Sequence, residues 1–133
     1  TRDFHHKFMG FDKSPSAGEK AIQNVENAKL EDFIYIKHED FFKTQKGGRS
    51  HLHIVFNPPY DERLDIEMEN FYGSIGSTLK HKYPGTHAWM ISSNMEALKH
   101  IGLRPSRKIK LFNAKLEARF LKYEMYSGTK KNI

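Results

Sequence analysis

Four consecutive residues, Asn57-Pro58-Pro59-Tyr60, form the segment of this sequence with the clearest chemical potential. Two successive prolines restrict the backbone, so the side-chain oxygen of Asn57 and the main-chain carbonyl of Pro58 can be held in one direction. Such a pair of acceptors can orient the hydrogens of an exocyclic amino group, which is a poor nucleophile because its lone pair is delocalised. Tyr60 offers a flat surface for a base taken out of its stack. The segment predicts catalysis on an aromatic amino group; a rigid turn or a proline-rich docking segment is the alternative.

Two acidic residues, Asp12 and Asp40, stand in positions that suit a nucleoside ligand. A carboxylate at the tip of a strand can accept hydrogen bonds from two vicinal ribose hydroxyls, as Asp12 would. Asp40 can accept a hydrogen bond from an adenine amino group while the neighbouring Phe41 packs against the ring. Each acid also fits a simpler interpretation, in which it solvates a loop or turn, and the two residues alone do not decide between these.

Each of these groups follows a short apolar run of the kind typical of a buried β-strand. If the three strands neighbour one another in a parallel sheet, Asp12, Asp40 and Asn57 line one crevice, because ligands bind beyond the carboxyl ends of such strands. The apolar runs lie at residues 8–11, 33–36 and 52–56.

The segments between and after these strands predict helices and a terminal hairpin. Ser14 and Pro15 suit the N-cap and first position of one helix, and an amphipathic helix is predicted from Asp65. A further strand is expected at residues 88–91, followed by a short helix. Two late strands, near residues 108–112 and 116–126, are predicted to form a hairpin. The predicted fold is α/β, with a mostly parallel sheet and an antiparallel C-terminal end.

Length and composition limit the class of protein. The chain has 133 residues, 38% of them hydrophobic and 29% charged, which suggests one soluble globular domain. It has no cysteine and no apolar stretch long enough to span a bilayer. We therefore expect an intracellular protein that has no disulfides and does not span a membrane. The eight histidines show no ligand spacing with cysteine or carboxylate, and no metal site is predicted.

The sequence is basic, with 22 Lys and Arg residues against 16 acids and a net charge of +6. An excess of this size favours polyanionic partners such as RNA or DNA, through contacts to phosphates. Many of the cations crowd the last third of the chain, where the alternative is an ordinary solvated surface. The candidates for phosphate contacts are Arg63, Arg104, Arg107, Lys108 and Lys110.

Taken together, these motifs resemble a known family, the class I methyltransferases that carry an (Asp/Asn/Ser)-Pro-Pro-(Tyr/Phe/Trp) motif. Within it, the chain is similar to the large-subunit rRNA guanine-N2 methyltransferases that have an N-terminal THUMP domain and are often labelled N6-adenine-specific DNA methylases. The resemblance covers residues 8 to about 126. It is carried by Gly10-Phe11-Asp12, His38-Glu39-Asp40-Phe41-Phe42, Asn57-Pro58-Pro59-Tyr60 with Glu62-Arg63, Ser92-Ser93-Asn94, and Arg107-Lys108-Ile109-Lys110-Leu111-Phe112-Asn113.

The resemblance implies a Rossmann-like fold, S-adenosyl-L-methionine as cofactor and a cytoplasmic enzyme that methylates guanine-N2 of 23S rRNA. Adenine-N6 methylation of DNA or RNA, and a non-catalytic RNA-binding module of the same fold, remain as alternatives. It also implies roles for individual residues. Asp12 would bind the ribose of the cofactor and Asp40 its adenine, and Lys13, Phe41 and Asn57 would be further cofactor-binding residues. The catalytic residues would be Asn57, Pro58, Pro59 and Tyr60.

The sequence departs from the family at three points. Asp61 and Ala114 stand where relatives usually have glycine, and Asp61 adds a charge beside the expected substrate pocket. The family's first strand and its Gly-rich cofactor loop find no counterpart before Phe8. That strand is central in the family order 3-2-1-4-5-7-6, so residues 1–133 are expected to be the C-terminal part of a catalytic domain. Alone, this part is expected to be inactive and to self-associate through unpaired sheet edges.

Overall fold

The computed structural model describes residues 6–48, 51–58 and 65–126. Contacts between residues divide the chain into two compact units, Thr1–Thr44 and Gln45–Ile133. Within the described ranges, no helix has both the length and the apolar character that a membrane span requires. That the chain is the C-terminal part of a larger catalytic domain stays a prediction.

The first unit is built around two parallel strands. Strand β1 (Phe8–Asp12) leads into helix α1 (Pro15–Asn27), which returns the chain to strand β2 (Ile34–His38), and a short 3-10 helix (Phe41–Lys43) follows. The two strands pair in register over their whole length, so that Asp12 lies opposite His38. Two parallel strands joined by a helix are the predicted start of an α/β fold.

Helix α1 begins where the sequence predicts. Ser14 has an extended backbone and its Oγ accepts a hydrogen bond from the backbone N–H of Ala17 at 3.4 Å, while Pro15 is the first helical residue. The side chain thus satisfies one of the backbone donors left free at a helix start. Gly18 lies on the buried side of this helix.

The prediction that β1 is buried is wrong for the described residues. Phe8 and Met9 are 56% and 57% exposed, and Phe11 is 39% exposed. The physical reason is that β1 hydrogen-bonds to a single strand, β2, within a two-stranded sheet. A sheet of two strands offers few neighbouring side chains to cover its faces, so the apolar run of β1 is largely exposed. Self-association at sheet edges stays a prediction.

The second unit contains a four-stranded sheet and two helices. Its strands follow the order β3-β4-β6-β5, in which β3 and β4 are parallel and the other pairs are antiparallel. The elements, in chain order, are β3 (Leu52–Phe56), α2 (Ile66–Lys82), β4 (Thr86–Ser92), α3 (Met95–Leu98), β5 (Arg107–Asn113) and β6 (Leu116–Glu124).

The two sheets confirm the α/β class and its antiparallel C-terminal hairpin, which turns through Ala114 at a positive φ of 57°. They also agree with the strand order that the family resemblance implies. Removing the family's first strand from that order leaves two groups of strands. In the numbering used here these groups are β2-β1 and β3-β4-β6-β5, and the two sheets have these strand orders.

The core of the second unit lies between α2, α3 and one face of this sheet. Helix α2 begins directly after Asp65, where an amphipathic helix is predicted to start, and the Oδ1 of Asp65 accepts a hydrogen bond from Met68 N–H at 2.8 Å. The buried hydroxyls of Tyr72 and Ser92 lie 2.7 Å apart and share a hydrogen bond. Fully or almost fully buried side chains include Tyr72, Ile75, Leu79, Ala88, Met90, Ala97, Ile101, Ala118, Leu121 and Tyr123.

Strand β3 is only half-buried, contrary to the prediction of a buried strand. Its residues alternate between partly buried and exposed, and Val55 is 71% exposed. The cause is the face on which each side chain lies, because successive residues of a strand point to opposite faces of the sheet. Ile54 pairs with the fully buried Ala88 on the core face, whereas Val55 pairs with Trp89 on the opposite face.

Burial of Tyr123 predicts a loss of stability at alkaline pH. Desolvation, helped by nearby Tyr72, raises its pKa to about 12 from an ordinary value of 10. Below pH 10 the phenol of Tyr123 is neutral in both the folded and the unfolded chain. Between pH 10 and about pH 12 it ionises in the unfolded chain only, so the free energy of unfolding falls over that interval. We expect this residue to remove about 2–3 kcal/mol over that window.

Urea unfolding of Tyr123→Phe at pH 9 and pH 11.5 tests this, since the variant should lose less stability than the parent over that interval. Tyr35→Phe is the control, because Tyr35 is 44% exposed. Equal losses in the parent and in Tyr123→Phe would contradict the assignment to Tyr123.

Candidate functional site

The carboxyl ends of β1 and β2 bring two of the predicted site residues to one edge of the first sheet. Asp12 is the last residue of β1 and lies opposite His38, the last residue of β2. The backbone N–H of Glu39 donates to the Asp12 carbonyl at 3.0 Å, which keeps the two chain segments side by side beyond the sheet. Asp40 follows immediately, so both carboxylates stand at the edge where parallel sheets bind ligands.

Asp12 is held by the turn that enters α1. Its Oδ1 accepts a hydrogen bond from Ser14 N–H at 2.8 Å, and its side chain is exposed. The second carboxylate oxygen, Oδ2, makes no hydrogen bond with the described residues. Asp12 therefore combines an exposed position with one carboxylate oxygen held by the turn, which suits a ligand hydroxyl.

The turn at Lys13 has a further contact that the sequence did not indicate. The Nε2 nitrogen of His38 lies 2.7 Å from the main-chain oxygen of Lys13, a distance at which the ring N–H donates to the carbonyl. This bond ties the end of β2 to the segment that follows β1. The ring of His38 thus supports the position of Asp12 from the neighbouring strand.

Asp40 caps the 3-10 helix that follows β2. Its Oδ1 accepts a hydrogen bond from Phe42 N–H at 3.0 Å, and Thr44 Oγ1 donates to the Phe41 carbonyl at 2.6 Å. The rings of Phe41 and Phe42 meet edge to face, 5.7 Å apart, and both are half-buried. A carboxylate beside an aromatic ring at a sheet edge is the arrangement predicted for an adenine, and it is equally a well-formed turn.

Asn57 and Pro58 lie directly beyond strand β3 in the second unit. Asn57 is exposed and Pro58 is buried, so the proline anchors the segment while the amide side chain stays accessible. Phe56, the last residue of β3, pairs with Met90 of β4. Pro59 and Tyr60, and Arg63 among the predicted phosphate contacts, lie outside the described residues.

The three predicted strand tips belong to two different sheets. Asp12 and Asp40 are brought together in the first unit, whereas Asn57 follows an edge strand of the second unit. Strand β1 pairs with β2, and strand β3 pairs with β4, as the family order with its first strand left out implies. The convergence of the three strand tips on one crevice stays a prediction.

The remaining cations predicted to contact phosphates lie on and before β5. Arg104, Arg107, Lys108 and Lys110 are all exposed. Arg107 is the register partner of Lys122 on β6, so two like charges face each other across the hairpin. An anion bound between such residues reduces the repulsion between their positive charges, so this surface suits a phosphate contact.

One acid moderates the charge of this hairpin. Glu117 forms an ion pair with Arg119, and Lys110 Nζ lies 4.0 Å from its Oε1. The hydrogen bond from Arg119, with the charges of Arg119 and Lys110, holds the pKa of Glu117 below its usual value. Glu117 therefore stays ionised and neutralises part of the positive charge on this face.

Three histidines form a cluster that the sequence did not indicate. Their ring centroids are 4.6 Å apart for His51 and His53, 4.8 Å for His51 and His87, and 5.4 Å for His53 and His87. We call these three residues the histidine cluster. The spacing of His51 and His53 was a partial signal, because residues two apart in a strand face the same way. The third member, His87, could not be found from spacing, because it joins the cluster through the pairing of β3 with β4.

The sequence matches the RMKL-like methyltransferase domain family over residues 1–122. The chain belongs to this family. All of the residues predicted to bind a cofactor, a base or phosphates lie within the matched segment of this methyltransferase domain.

Among curated relatives, the ribosomal RNA large subunit methyltransferase K/L of Syntrophotalea carbinolica is 33% identical over 122 residues, which are 88% of this chain and 17% of that protein. The chain thus spans about one sixth of the length of the curated relatives it matches.

Two solved structures show the same fold. A predicted N6-adenine-specific DNA methylase from Listeria monocytogenes matches with a TM-score of 0.72 and 26% identity, covering 88% of this chain and 30% of the other. An RNA methyltransferase from Salinibacter ruber, solved with S-adenosyl-L-homocysteine, matches with a TM-score of 0.62 and 14% identity, covering 95% and 70%. Both likenesses place this RMKL-like domain among Rossmann-like methyltransferase folds.

Proposed function

We propose that this chain is the C-terminal part of an S-adenosylmethionine-dependent catalytic domain that methylates an exocyclic amino group of a nucleic-acid base, most specifically guanine-N2 of 23S rRNA. The observation that carries the proposal is membership of the RMKL-like methyltransferase family over residues 1–122. The relatives named for methylation of large-subunit ribosomal RNA support RNA as the substrate. Ribosome assembly would place the activity in the cytoplasm.

The described residues fit the nucleoside part of the cofactor. Asp12 has a free carboxylate oxygen at the carboxyl edge of a parallel sheet, beside the Lys13 turn, and would accept hydrogen bonds from ribose hydroxyls. Asp40 and Phe41 would hold the adenine by a hydrogen bond and a ring contact. When bound, S-adenosylmethionine supplies an electrophilic methyl group. The structure solved for the Salinibacter ruber relative with S-adenosyl-L-homocysteine supports this choice of cofactor.

Asn57 and Pro58 would hold the amino group of the target base. Two oxygen acceptors direct its two hydrogens and leave the nitrogen lone pair pointing towards the methyl donor. Proximity and alignment then supply much of the rate acceleration. The exposed position of Asn57 and the buried position of Pro58 suit this role, since the acceptor is accessible and its backbone is anchored. Pro59 would keep the same segment rigid, and Tyr60 would stack on the base.

The basic residues would contact the phosphates that flank the target base. Arg104, Arg107, Lys108 and Lys110 form an exposed group around β5, and Arg63 would add a contact nearer the catalytic segment. A second candidate function is adenine-N6 methylation, which the name of the Listeria monocytogenes relative favours. A non-catalytic RNA-binding module would use the same cations without the cofactor.

Methylation of rRNA by the complete catalytic domain tests the proposal. Unmodified 23S rRNA is incubated with radiolabelled S-adenosylmethionine, digested to nucleosides and analysed by mass spectrometry. N2-methylguanosine is the expected product, and N6-methyladenosine would establish the second candidate instead. Binding of rRNA with no affinity for S-adenosylmethionine, measured by calorimetry, would identify a binding module and end the catalytic proposal.

Loss of the Asp12 carboxylate is expected to weaken cofactor binding in the complete domain. Hydrogen bonds to a charged group contribute about 1.5–3 kcal/mol, so Asp12→Ala should raise the Kd for S-adenosylmethionine about 10- to 100-fold. At saturating cofactor, kcat should change little. Because Asp12→Ala also removes the acceptor of Ser14 N–H, Asp12→Asn is the sharper variant: it can keep that bond while losing the charge.

Asp32→Ala serves as the matched control for this prediction. Asp32 is an exposed acid of the same unit and lies in the turn before β2. Calorimetry should give an unchanged Kd for this variant. An unchanged Kd in Asp12→Asn as well would show that Asp12 only supports the turn into α1.

A further inference from the structure

The histidine cluster is a set of three potential metal ligands at the amino end of β3, whereas Asn57 follows the carboxyl end of that strand. One ring nitrogen from each of His51, His53 and His87 can be chosen so that all three lie within 4.8 Å of one another. We propose that this cluster binds one Zn²⁺ ion and thereby links strand β3 to strand β4. The proposal is independent of the proposed methyltransferase activity.

Strand geometry places the three rings together. His51 and His53 are two residues apart at the start of β3, a spacing that puts both side chains on the same face of a sheet. His87 is the register partner of His53 on the parallel strand β4. The positions of His53 and His87 are therefore fixed by the pairing of two strands, and His51 is the residue directly before β3.

The distances allow a metal ion with small side-chain movements. Zn–N bonds are about 2.0–2.1 Å long, so two nitrogens of a tetrahedral site lie about 3.3 Å apart. The nitrogens of the cluster must therefore approach by roughly 1.5 Å from the 4.8 Å limit. His51 and His53 are exposed and can rotate, while His87 is partly buried and provides a fixed ligand.

A carboxylate lies beside the cluster on the next strand. Glu124 of β6 pairs with His87 in register, and its Oε1 lies 3.5 Å from His87 Nε2. Its negative charge would offset part of the charge of the ion, and a carboxylate that accepts from a ligating imidazole orients the ring. Lys122, whose Nζ lies 3.9 Å from Glu124 Oε2, opposes this effect in part.

The ligand chemistry selects the class of metal. Imidazole nitrogens suit Zn²⁺ and the neighbouring divalent transition metals, whereas Mg²⁺ and Ca²⁺ prefer oxygen ligands. The site lies at the amino end of β3, and Asn57 lies four residues beyond His53, roughly 13 Å along an extended chain. The ion would therefore not take part in methyl transfer. It would hold the edge strand that leads to the Asn57 segment.

Calorimetric titration of the metal-free full chain with ZnCl₂ tests the proposal. We expect one ion per chain for the parent protein. His53→Gln and His87→Gln should each weaken this binding at least tenfold. His81→Gln is the matched control, because His81 is an exposed histidine of helix α2 whose ring contacts Ser77 of the same helix. It should bind Zn²⁺ like the parent.

Substitution with Co²⁺ gives a second measurement that does not depend on a variant's folding. Intense visible absorption bands typical of four-coordinate Co²⁺, lost when Zn²⁺ is added, are expected for the parent chain. Absence of one-to-one binding in the parent would overturn the proposal. So would unchanged affinity in a folded His53→Gln variant, a variant at an exposed position where circular dichroism should show an intact fold.

Discussion

Asn57→Ala in the complete catalytic domain is expected to lower kcat for rRNA methylation by about 100- to 1000-fold, the range seen when one preorganised polar group is removed from a reacting centre. The amide oxygen would orient the target amino group during transfer, so its loss acts on the chemical step. The Kd for S-adenosylmethionine should stay within about twofold, because Asp12 and Asp40 carry the proposed nucleoside contacts. Single-turnover methylation and calorimetry measure the two quantities separately.

The alternative, that Asn57→Ala lowers kcat because the variant is less stable, can be tested with the same variant. Asn57 is exposed, so its truncation leaves no cavity and should change the free energy of unfolding by less than about 0.5 kcal/mol. Asn70→Ala is the control, since Asn70 is an exposed asparagine on helix α2 of the same unit. Normal kcat in Asn57→Ala would remove Asn57 from the catalytic mechanism. Equal losses of kcat and cofactor affinity would show that the roles of Asn57 and Asp12 are not separate.

Local features of the fold could be predicted from the sequence because they depend on neighbouring residues. Ser14 is the predicted N-cap of α1, and α2 begins at the predicted position, directly after Asp65. In both cases the side-chain oxygen accepts a hydrogen bond from a backbone N–H three residues later. The hairpin turn falls at Ala114, within the predicted segment. Capping and turn formation are decided within four residues, so a single sequence contains the necessary information.

Burial of the early strands could not be predicted in the same way. An apolar run such as that of β1 indicates that a strand suits a buried position, but burial itself depends on which segments lie on either side. Phe8 lies in a sheet of only two strands, and Val55 lies on the face of its sheet opposite the core. For the same reason the sequence could name Asp12, Asp40 and Asn57 as strand tips without establishing that all three face one ligand.

Contacts between distant segments account for what the sequence missed at the candidate sites. His38 reaches the carbonyl of Lys13 across 25 positions of sequence. His87 joins His51 and His53 only because β3 and β4 pair in parallel with a particular register. Chain spacing alone gives a histidine no partner in such cases. The register of two strands converts three unremarkable residues into a potential ligand set.

Helix α2 approaches the segment after α3 closely, which is another contact between residues distant in sequence. A substitution at this contact has the largest expected effect on stability. A Cβ atom added to Gly76 would lie 1.7 Å from the main-chain oxygen of Ile101 and 2.7 Å from its carbonyl carbon. The obstacle is backbone, so no side-chain rotation relieves it, and the helix or the segment at Ile101 must move by more than an ångström. Overpacking of a core typically costs about 1–3 kcal/mol, and a clash with backbone exceeds that range.

We therefore expect Gly76→Ala to lose about 4 kcal/mol or more of the free energy of unfolding, a large share of the 5–15 kcal/mol typical of a domain. Gly73→Ala is the matched control on the same helix, because its added Cβ would lie 3.5 Å from the His100 carbonyl oxygen, an ordinary contact. There the higher helix propensity of alanine should stabilise the chain by up to about 1 kcal/mol. Urea unfolding of both variants measures the difference. Similar stabilities would mean that α2 does not pass Ile101 at this distance, whereas a large gap would identify Gly76 as the residue that permits the helix to pack there.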